Sequence, residues 1–367
     1  MLHNSMKQYS LGLAAALTVT VAASQLKAQH FDEPSVMNQP YTQMVQDPYF
    51  GDYEGTYSAG EDRPEPGSPK PIPAEATVRA LGNRAYSIVL RTHAADPDEA
   101  LQAEVVGRME GERVVVSGSS QGHEWEGEIG KQVLRIRKRG YGGVFQMKRV
   151  MKKSPIEALP PPPGAIVLLA FEPGQKPNLD MWTDAGWVTT SEGIMHKNPG
   201  EGPRPDLPRR DISTKREFKN VRLHLEFRIP YEPDLREQAR GNSGVILADR
   251  YEVQVLDSYG LIPGDGDCAS IYGVAPPRVN AAFPPLSWQT YDITFYAPGM
   301  EGGKMVRGPR LTVVWNGIKV HENQTTSTPT GDPERPNAGS GPIRIQDHGN
   351  LVYYRNIWLE ELPDTQD

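Results

Sequence analysis

The segment GNSGVILADRYEVQVLDSYG, residues 241–260, decides which fold the chain can adopt. Within it, Tyr251, Val253 and Val255 alternate with Glu252 and Gln254. Successive side chains of a β-strand point to opposite faces of its sheet, so this alternation predicts a strand with one apolar and one polar face. The apolar face would join a core, and the polar face would carry chemistry.

Two distant segments repeat this alternation. Glu226 and Arg228 alternate with apolar residues in VRLHLEFRI (221–229), and Arg344 and Gln346 do so in GPIRIQDHG (341–349). Three strands with polar rows predict a sheet that binds a polar ligand on its open face. We expect the following side chains to share one cleft on neighbouring strands of one sheet: Glu226, Arg228, Glu252, Gln254, Gln346 and His348.

Bulk properties limit both the fold and the partners. A chain of 367 residues is longer than one typical domain, so we expect two domains and non-globular ends. The 34 Pro and 36 Gly residues, together with the lack of helical periodicity, predict an all-β protein. A net charge of -7 gives no reason to expect nucleic acid as a partner.

The N-terminus predicts a secretory signal peptide at residues 1–28. Lys7 supplies a positive charge, residues 11–23 form an apolar stretch, and cleavage is expected after Ala23 or Ala28. The stretch is too short for a permanent membrane helix, although an uncleaved tether is the alternative. We therefore expect a periplasmic or extracellular protein whose mature form has no transmembrane segment.

Changes in composition divide the rest of the chain. The segments are a Pro- and Tyr-rich linker (29–74), a small antiparallel β domain (75–153), a proline-rich linker (154–164) and a larger β domain (165–362). Roughly ten strands in the larger domain predict a two-sheet sandwich or jelly roll. Within it, the Asn316-Gly317 step predicts a type I′ hairpin.

A basic stretch lies at the end of the small β domain. Residues 131–153 contain nine Lys or Arg residues and no acidic residue. The favoured interpretation is one solvated strand face, with Leu134 and Ile136 inward and Arg135 and Arg137 outward. The alternative is attachment to an anionic surface or polysaccharide.

A series of motifs runs through residues 166–362. In order they are LLAFEPG, GWVTTSEGIM, ISTKREFKNVRLHLEFRI, GNSGVIL, YEVQVLDSYG, SWQTYDI, RLTVVWNGIKV and GPIRIQDHGNLVYYRNIWLEEL. This order resembles the 3-keto-disaccharide hydrolase family, which is described as 3-keto-glucoside-1,2-lyase and 3-keto-2-hydroxy-glucal hydratase. Two positions depart from the family pattern: Ser287-Trp288-Gln289 replaces the usual Glu-Trp-Asn, and Arg344 replaces a usual Gly.

The resemblance implies a concanavalin-like jelly-roll sandwich, preceded here by the small antiparallel β domain. It also implies an exported enzyme that cleaves glycosides already oxidised at C3. The substrate would be a 3-keto saccharide or glycoside, and an upstream sugar 3-dehydrogenase would supply it. A ketone at C3 acidifies the hydrogen on C2, so cleavage needs a base near C2, a donor at the C3 oxygen and an acid at the leaving oxygen.

Three residues are candidates for catalysis. His348 suits proton transfer because the ordinary pKa of imidazole lies near neutrality. Glu252 suits it if apolar surroundings raise the pKa of its carboxyl, and Arg228 could hold the enolate oxygen. The candidate substrate-binding residues are Glu226, Asn242, Gln254, Arg344, Gln346 and Trp288. Cross-strand ion pairs between these carboxylates and arginines are the structural alternative.

The remaining expectations concern cofactors and the class of function. The sequence establishes no cofactor, although Asp257, Asp265 and Asp267 could ligate a hard cation such as calcium. Cys268 is expected to be a small, partly buried side chain rather than a nucleophile. The alternative to a glycan-processing enzyme is a non-catalytic carbohydrate-binding jelly-roll protein, because the scaffold serves lectins equally well.

Overall fold

The structure is a computed structural model that describes residues 47–59, 70–94, 100–140, 142–172, 174–198, 211–330 and 336–364. Strands dominate these residues, which confirms the all-β prediction. The predicted signal peptide at residues 1–28 lies outside them. No helix in the described part of the chain combines the length and the apolar composition that a bilayer crossing requires.

The first eight strands close into an antiparallel barrel. They are β1 Gly51–Ser58, β2 Ile72–Ala80, β3 Ala85–Thr92, β4 Gln102–Glu110, β5 Arg113–Ser120, β6 His123–Gly130, β7 Val133–Lys138 and β8 Val144–Val150. Each strand pairs with the next, and β8 pairs back with β1. Buried side chains such as Tyr53, Ile88, Trp125 and Phe145 pack together as one hydrophobic cluster, so the barrel has its own core.

The barrel begins earlier in the chain than the sequence predicts. Strand β1 and the first residues of β2 lie within the segment predicted to be a linker (29–74), so that prediction is wrong for these residues. The physical reason is that Tyr49, Phe50 and Tyr53 are buried and join the barrel core. Their apolar area offsets the ordering of a segment whose Gly and Asp content predicts an unfolded chain.

The basic stretch forms a solvated strand face, as favoured by its alternation. Leu134 and Ile136 are fully buried in the barrel core. On the outside, Arg137 and Arg139 both bind the carboxylate of Glu126 on β6. Part of the positive charge of this stretch is therefore neutralised within the barrel.

Fourteen further strands follow the barrel within the described residues. They are β9 Ile166–Leu169, β10 Trp187–Thr189, β11 Met195–Lys197, β12 Ile212–Ser213, β13 Val221–Arg228, β14 Ser243–Leu247, β15 Tyr251–Val255, β16 Trp288–Tyr296, β17 Gly299–Glu301, β18 Lys304–Arg307, β19 Arg310–Trp315, β20 Ile318–Thr325, β21 Arg344–Ile345 and β22 Tyr353–Glu361. A short 3-10 helix, Glu237–Ala239, precedes β14.

Two antiparallel sheets make up most of this second part. The large sheet has the order β10-β11-β22-β13-β16-β19-β20, with β9 pairing to β22. The small sheet has the order β12-β21-β14-β15. Apolar residues from both sheets share one buried cluster, which includes Leu223 and Phe227 of the large sheet and Val245 and Val253 of the small sheet. The two sheets therefore form a sandwich, the predicted jelly-roll architecture.

Polar bonds also join the two sheets through the core. Tyr354 of β22 donates to Ser243 Oγ of β14 at 2.6 Å, and Tyr291 of β16 donates to the Gln254 carbonyl at 2.7 Å. The thiol of Cys268 lies 3.1 Å from the Tyr291 hydroxyl, and burial raises its pKa to about 12. Cys268 is thus a buried, protonated thiol, which supports the structural interpretation of this residue.

The predicted hairpin at Asn316-Gly317 is confirmed. These two residues connect β19 to β20, with Trp315 paired to Ile318 across the turn. Both have a positive φ, 51° for Asn316 and 81° for Gly317, as a type I′ turn requires.

The proline-rich segment 154–164 is not a free spacer where the prediction places one. Ser154 is buried, and its Oγ lies 2.6 Å from Thr290 Oγ1 on the large sheet. The backbone N–H of Ala158 donates to Glu226 Oε1 at 2.6 Å, and the Leu159 carbonyl accepts from Asn356 Nδ2 at 2.9 Å. The beginning of this segment therefore lies against the outer face of the large sheet.

Candidate functional site

The outer face of the small sheet carries a compact set of polar side chains. Val253 and Val255 point into the core, so the alternation puts Glu252 and Gln254 on the opposite face of β15. In register, Glu252 pairs with Ile246, and Gln254 pairs with Gly244 on β14. These residues belong to the segment that the sequence singled out.

Strand β21 continues this face on the other side of β14. Arg344 pairs with Ile246, and the N–H of Gln346 donates to the Gly244 carbonyl at 3.0 Å. Gly244 therefore lies between Gln254 and Gln346, while Ile246 lies between Glu252 and Arg344. The predicted polar residues of β15 and β21 thus meet on one face, with a glycine at its centre.

Glu252 is the most unusual group on this face. Its side chain is 8% exposed, and its carboxyl accepts no hydrogen bond from any described residue. Burial raises the pKa of this carboxyl to about 7, while the nearby charge of Arg344 lowers it and that of Asp211 raises it. A buried carboxyl without hydrogen-bond donors is costly, and such groups concentrate at functional sites.

Gly244 provides the space that this carboxyl occupies. A Cβ placed on Gly244 would lie 2.1 Å from Glu252 Oε1, which is well inside van der Waals contact. Any larger residue at 244 would therefore displace the Glu252 side chain. The glycine of the GNSG motif and the glutamate of the YEVQ motif form one structural unit.

Two predicted amides are held by a third amide that sequence reasoning missed. Gln238, from the 3-10 helix, accepts at Oε1 from Asn242 Nδ2 and from Gln254 Nε2, each at 3.0 Å. Asn242 Oδ1 is buried and has no hydrogen-bond partner among the described residues. The amides of Asn242 and Gln254 are therefore fixed in orientation by Gln238, which carries no recognisable sequence signal.

Arg344 is held by carboxylates rather than left open to a ligand. Its Nε donates to Asp249 Oδ1 at 2.6 Å, and its Nη1 binds Asp211. Asp211 also accepts from the N–H of Asp347 at 2.9 Å, which fixes the residue before His348. Sequence reasoning missed Asp211, although it directly precedes the ISTKREF motif. The arginine and its two carboxylates close one end of the polar face.

His348 follows β21 at the other end of the face. The backbone N–H of Asn242 donates to Asn350 Oδ1 at 3.1 Å, so the chain containing His348 passes beside Asn242. Lys197 binds the carbonyl of Gly349 and lies 3.4 Å from the Asp347 carboxylate. Both neighbours of the half-buried His348 are therefore anchored by a strand of the large sheet.

The amide of Gln346 differs from the other two amides on this face. Its backbone bonds to Gly244 and Ser243, but its side chain makes no hydrogen bond to any described residue. It is half-buried and lies on the far side of Gly244 from Gln254. A polar ligand above Gly244 would therefore find an unused amide on one side and the Glu252 carboxyl close by.

Three predicted site residues lie elsewhere, so the prediction of one shared cleft is wrong for them. Glu226 and Arg228 are on β13, and Trp288 is on β16, all in the large sheet. Alternation tells which residues share a face of a strand, but it does not tell which sheet the strand joins. The three side chains lie on the outer face of the large sheet, on the other side of the sandwich from Glu252.

Glu226 is fully buried in an ion-pair network. Its Oε1 accepts from the Ala158 N–H at 2.6 Å and from Asn356 Nδ2 at 2.8 Å, and its Oε2 accepts from Arg355 Nε at 2.7 Å. His224 Nε2 lies 3.7 Å from Oε1. Although burial alone would raise it, the pKa of the Glu226 carboxyl is lowered by these partners. Glu226 therefore has a structural role, as the ion-pair alternative anticipated.

Arg228 and Trp288 belong to a stack of aromatic rings and guanidinium groups. Arg228 Cζ lies 4.8 Å from the Tyr353 ring centroid and 4.7 Å from that of Trp288. Arg355 Cζ lies 4.0 Å from the same Trp288 ring and 4.4 Å from that of Phe171. The indole thus packs against two cations, and Arg228 is 2% exposed. Neither residue presents its functional group to the face that carries Glu252.

Two of the three aspartates considered for calcium bind other groups of the protein. Asp257 binds Arg240 at 2.5 Å, and Asp267 accepts from the Ser258 hydroxyl at 3.0 Å and from the Gly264 N–H at 2.6 Å. No cluster of three or more His, Cys, Asp or Glu side chains within the described ranges is arranged to hold a metal ion. The carboxylate oxygens of Asp257 and Asp267 therefore serve ion pairing and turn formation.

Comparisons with known proteins find similar solved structures. Two solved structures from Parabacteroides distasonis, each of a provisionally assigned glycosyl hydrolase, match about half of this chain. The first is 33% identical, with a TM-score of 0.48 over 55% of this chain and 84% of that one. The second is 20% identical, with a TM-score of 0.37 over 54% of this chain and 100% of that one. A comparison with curated proteins finds no match.

A family match covers the same part of the chain. Residues 170–360, more than half of the chain, match the family described as a 3-keto-alpha-glucoside-1,2-lyase-like domain. These residues include both sheets of the sandwich and the polar face around Gly244. This family match supports a glycan-processing enzyme. The chain belongs to the 3-keto-alpha-glucoside-1,2-lyase-like family.

Proposed function

We propose that this protein cleaves 3-keto-glycosides by removing the proton on C2 and eliminating the substituent on C1. The observation that carries the proposal is Glu252, a buried carboxyl with a pKa raised to about 7 and no hydrogen-bond donor among the described residues. A carboxyl in this state exists in both protonation states near neutral pH, as a catalyst of proton transfer must.

The elimination balances without a nucleophile or a cofactor. The C2–H bond breaks and its electrons form the enolate, with the negative charge on the C3 oxygen. The C1–O bond then breaks, a C1=C2 double bond forms, and the leaving oxygen takes a proton. Addition of water across C1=C2, with hydroxyl to C1 and a proton to C2, gives a 3-keto sugar and completes a net hydrolysis.

Glu252 is assigned to the proton on C2. Its carboxylate lies above Gly244, at the centre of the polar face, where β14 has no side chain. When Glu252 takes the proton it becomes neutral, and burial favours that neutral form. Once its proton has exchanged with the solvent, the same group can protonate C2 during the addition of water.

His348 and the amides are assigned to the substrate oxygens. Imidazole can donate a proton to the leaving oxygen near neutral pH, and His348 lies at the end of the face. The Gln346 amide can donate to the C3 oxygen, where charge develops. Asn242 Oδ1, which has no hydrogen-bond partner among the described residues, suits a sugar hydroxyl, while Gln254 binds Gln238, which holds Asn242. Arg228, assigned to the enolate from the sequence, has no part in this proposal because it lies on the other sheet.

Two further proposals follow from the sequence. The N-terminal signal predicts that the enzyme acts in the periplasm or outside the cell. Because the substrate must carry a ketone at C3, an oxidising enzyme of the sugar 3-dehydrogenase class must act before it.

A non-catalytic carbohydrate-binding protein is the second candidate. It is favoured by the amide-rich face, because Asn, Gln and His side chains suit neutral sugar hydroxyls. A binding protein has no use, however, for a buried carboxyl that gains no hydrogen bond. Release of a leaving group from a 3-keto-glycoside separates the two functions.

The test uses p-nitrophenyl 3-keto-glucoside and the unoxidised p-nitrophenyl glucoside with the full-length protein. The proposal expects nitrophenol release from the keto substrate alone, and a loss of roughly 10² to 10⁴ in rate for Glu252→Gln. The exposed Glu192→Gln is the matched control and should retain full rate. Saturable sugar binding without turnover would favour the binding protein.

A further inference from the structure

The barrel lies outside the family match, yet it contacts the loops that lead into the polar face. Asp47 Oδ2, just before β1, accepts hydrogen bonds from Tyr86 at 2.7 Å and from Tyr231 of the sandwich at 2.6 Å. The Tyr231 ring also stacks on Phe50, with the centroids 4.7 Å apart. One loop of the sandwich is therefore anchored to the barrel by both a hydrogen bond and a ring contact.

A second loop of the sandwich is anchored independently. The hydroxyl of Tyr259 donates to Asp52 Oδ1 on β1 at 2.9 Å, and both residues are buried. A Cβ on the next residue, Gly260, would lie 3.0 Å from Thr77 Cγ2 on β2, so the loop touches the barrel wall. Barrel strands thus contact the chain on both sides of β14 and β15.

Both anchors lead to the same short segment, Arg240–Asn242. From the first anchor, Glu232 follows Tyr231 directly, and its Oε2 accepts from the Gly241 N–H at 2.8 Å. The same oxygen accepts from Asn350 Nδ2 at 2.7 Å. Asn350 Oδ1 accepts from the N–H of Asn242. This anchor therefore fixes both the segment before β14 and the segment after β21.

From the second anchor, the path runs through a buried ion pair. The N–H of Tyr259 donates to Asp257 Oδ1 at 3.3 Å, and Asp257 Oδ2 accepts from Arg240 Nε at 2.5 Å. Arg240 and Asp257 are each 4% exposed. Breaking a buried ion pair is costly, so the position of Arg240 depends on that of the loop at Tyr259.

We propose that the barrel is a positioning part of the sugar site, acting through Tyr231 and Tyr259 on the segment that carries Asn242. This proposal rests on the function proposed above for the polar face. Tyr231 and Tyr259 are positioning residues because neither lies on that face. The barrel is thereby a structural component of the site and not an appended module.

The test compares three single hydroxyl deletions in the full-length protein. Tyr231→Phe and Tyr259→Phe each remove one barrel contact and keep the ring. The control is Tyr53→Phe, which removes a buried hydroxyl that donates to the Tyr49 carbonyl within the barrel. Because the two test variants lie in different loops, a failure of either one to fold leaves the other as a test.

The first readout is hydrogen exchange of the Gly241 and Asn242 amides, which does not depend on turnover. We expect Tyr231→Phe and Tyr259→Phe to speed this exchange roughly tenfold or more and Tyr53→Phe to leave it unchanged, because only the first two release the segment. Unchanged exchange in both test variants, or equal acceleration in the control, would overturn the proposal.

The second readout is turnover of p-nitrophenyl 3-keto-glucoside. We expect the two test variants to raise KM several-fold with a smaller effect on kcat, since Asn242 holds the substrate and does not transfer its proton. A KM equal to that of the wild type in both would contradict the positioning role. If the wild-type protein has no turnover, the function proposed above fails, while the exchange experiment still tests the role of the barrel.

Discussion

The carboxyl of Glu252 lies directly over Gly244, and a Cβ on Gly244 would come within 2.1 Å of Glu252 Oε1. Strands β14 and β15 are neighbours, and because Gly244 on β14 has no side chain, the carboxyl of Glu252 on β15 fits over it. The carboxyl is buried at the centre of a polar face, and burial raises its pKa to about 7. The raised pKa of Glu252 and its position therefore depend on a glycine that lies eight residues before it in the chain.

Gly244→Ala should remove activity without unfolding the protein. The added methyl group displaces the Glu252 side chain from its position, so we expect kcat/KM to fall by roughly 10² or more, as for a misplaced catalytic group. Gly118→Ala is the matched control, because Gly118 lies in a strand with open space around it. Wild-type kcat/KM in Gly244→Ala would show that the position of Glu252 does not matter.

The pH dependence of kcat/KM should report the Glu252 carboxyl. As a base it acts in its ionised form, so activity should rise with pH through a midpoint near pH 7, the raised pKa of this group. Glu252→Gln should abolish this limb along with most of the rate. A rising limb centred near pH 4.5, the ordinary pKa of a glutamate, would contradict the raised value.

The same pKa shift makes Glu252 a cost to stability above neutral pH. Its pKa is about 7 in the folded protein against 4.5 as the ordinary value, so between these pH values the folded state binds more protons than the unfolded state. The free energy of unfolding therefore falls as pH rises through this window, by up to about 3 kcal/mol.

Glu252→Gln removes this titration, so the variant should be more stable than the wild type at pH 8. The difference should vanish at pH 4, where Glu252 is protonated in both states. Urea denaturation at the two pH values measures it. Equal stabilities at pH 8 would mean that Glu252 is not held in a costly environment.

Sequence alternation predicted the strands and the polar residues of the small sheet well. Glu252, Gln254 and Arg344 share a face because a period of two leaves no other arrangement once Val253 and Ile345 are in the core. The alternation does not show which groups contact each of these side chains. Arg344 is held by two carboxylates, Asp211 and Asp249, that are far away in sequence.

The same alternation gave a wrong prediction for the polar residues of the large sheet. VRLHLEFRI has a polar row as distinct as that of YEVQV, but its strand lies across the sandwich, and its polar side chains are covered by residues 154–159. Nothing in the spacing of Glu226 and Arg228 shows which sheet they join. The aromatic residues near position 50 were also predicted to lie in a linker, because the composition of the surrounding segment is typical of an unfolded chain. A few buried aromatic side chains nevertheless suffice to hold β1 in the barrel.

Glu226→Gln should affect stability and not chemistry. Glu226 binds Arg355, Asn356 and the Ala158 N–H, so loss of its charge leaves Arg355 poorly compensated in a buried network. We expect a loss of about 3 kcal/mol in the free energy of unfolding, with kcat of the folded protein within a few-fold of the wild type. A loss of kcat comparable to that of Glu252→Gln, in protein shown by circular dichroism to be folded, would return Glu226 to the catalytic set.

The fate of the hydrogen on C2 tests the central claim most directly. A 3-keto-glycoside carrying protium at C2 is turned over in heavy water, and the early product is examined by NMR, with a reaction lacking enzyme to measure spontaneous exchange. Elimination followed by addition of water requires that the released sugar carry deuterium at C2, while the unoxidised glycoside stays intact. Product released at the enzymatic rate with protium retained at C2 would contradict the account, because the proton that Glu252 removes must exchange with the solvent before C2 is protonated again.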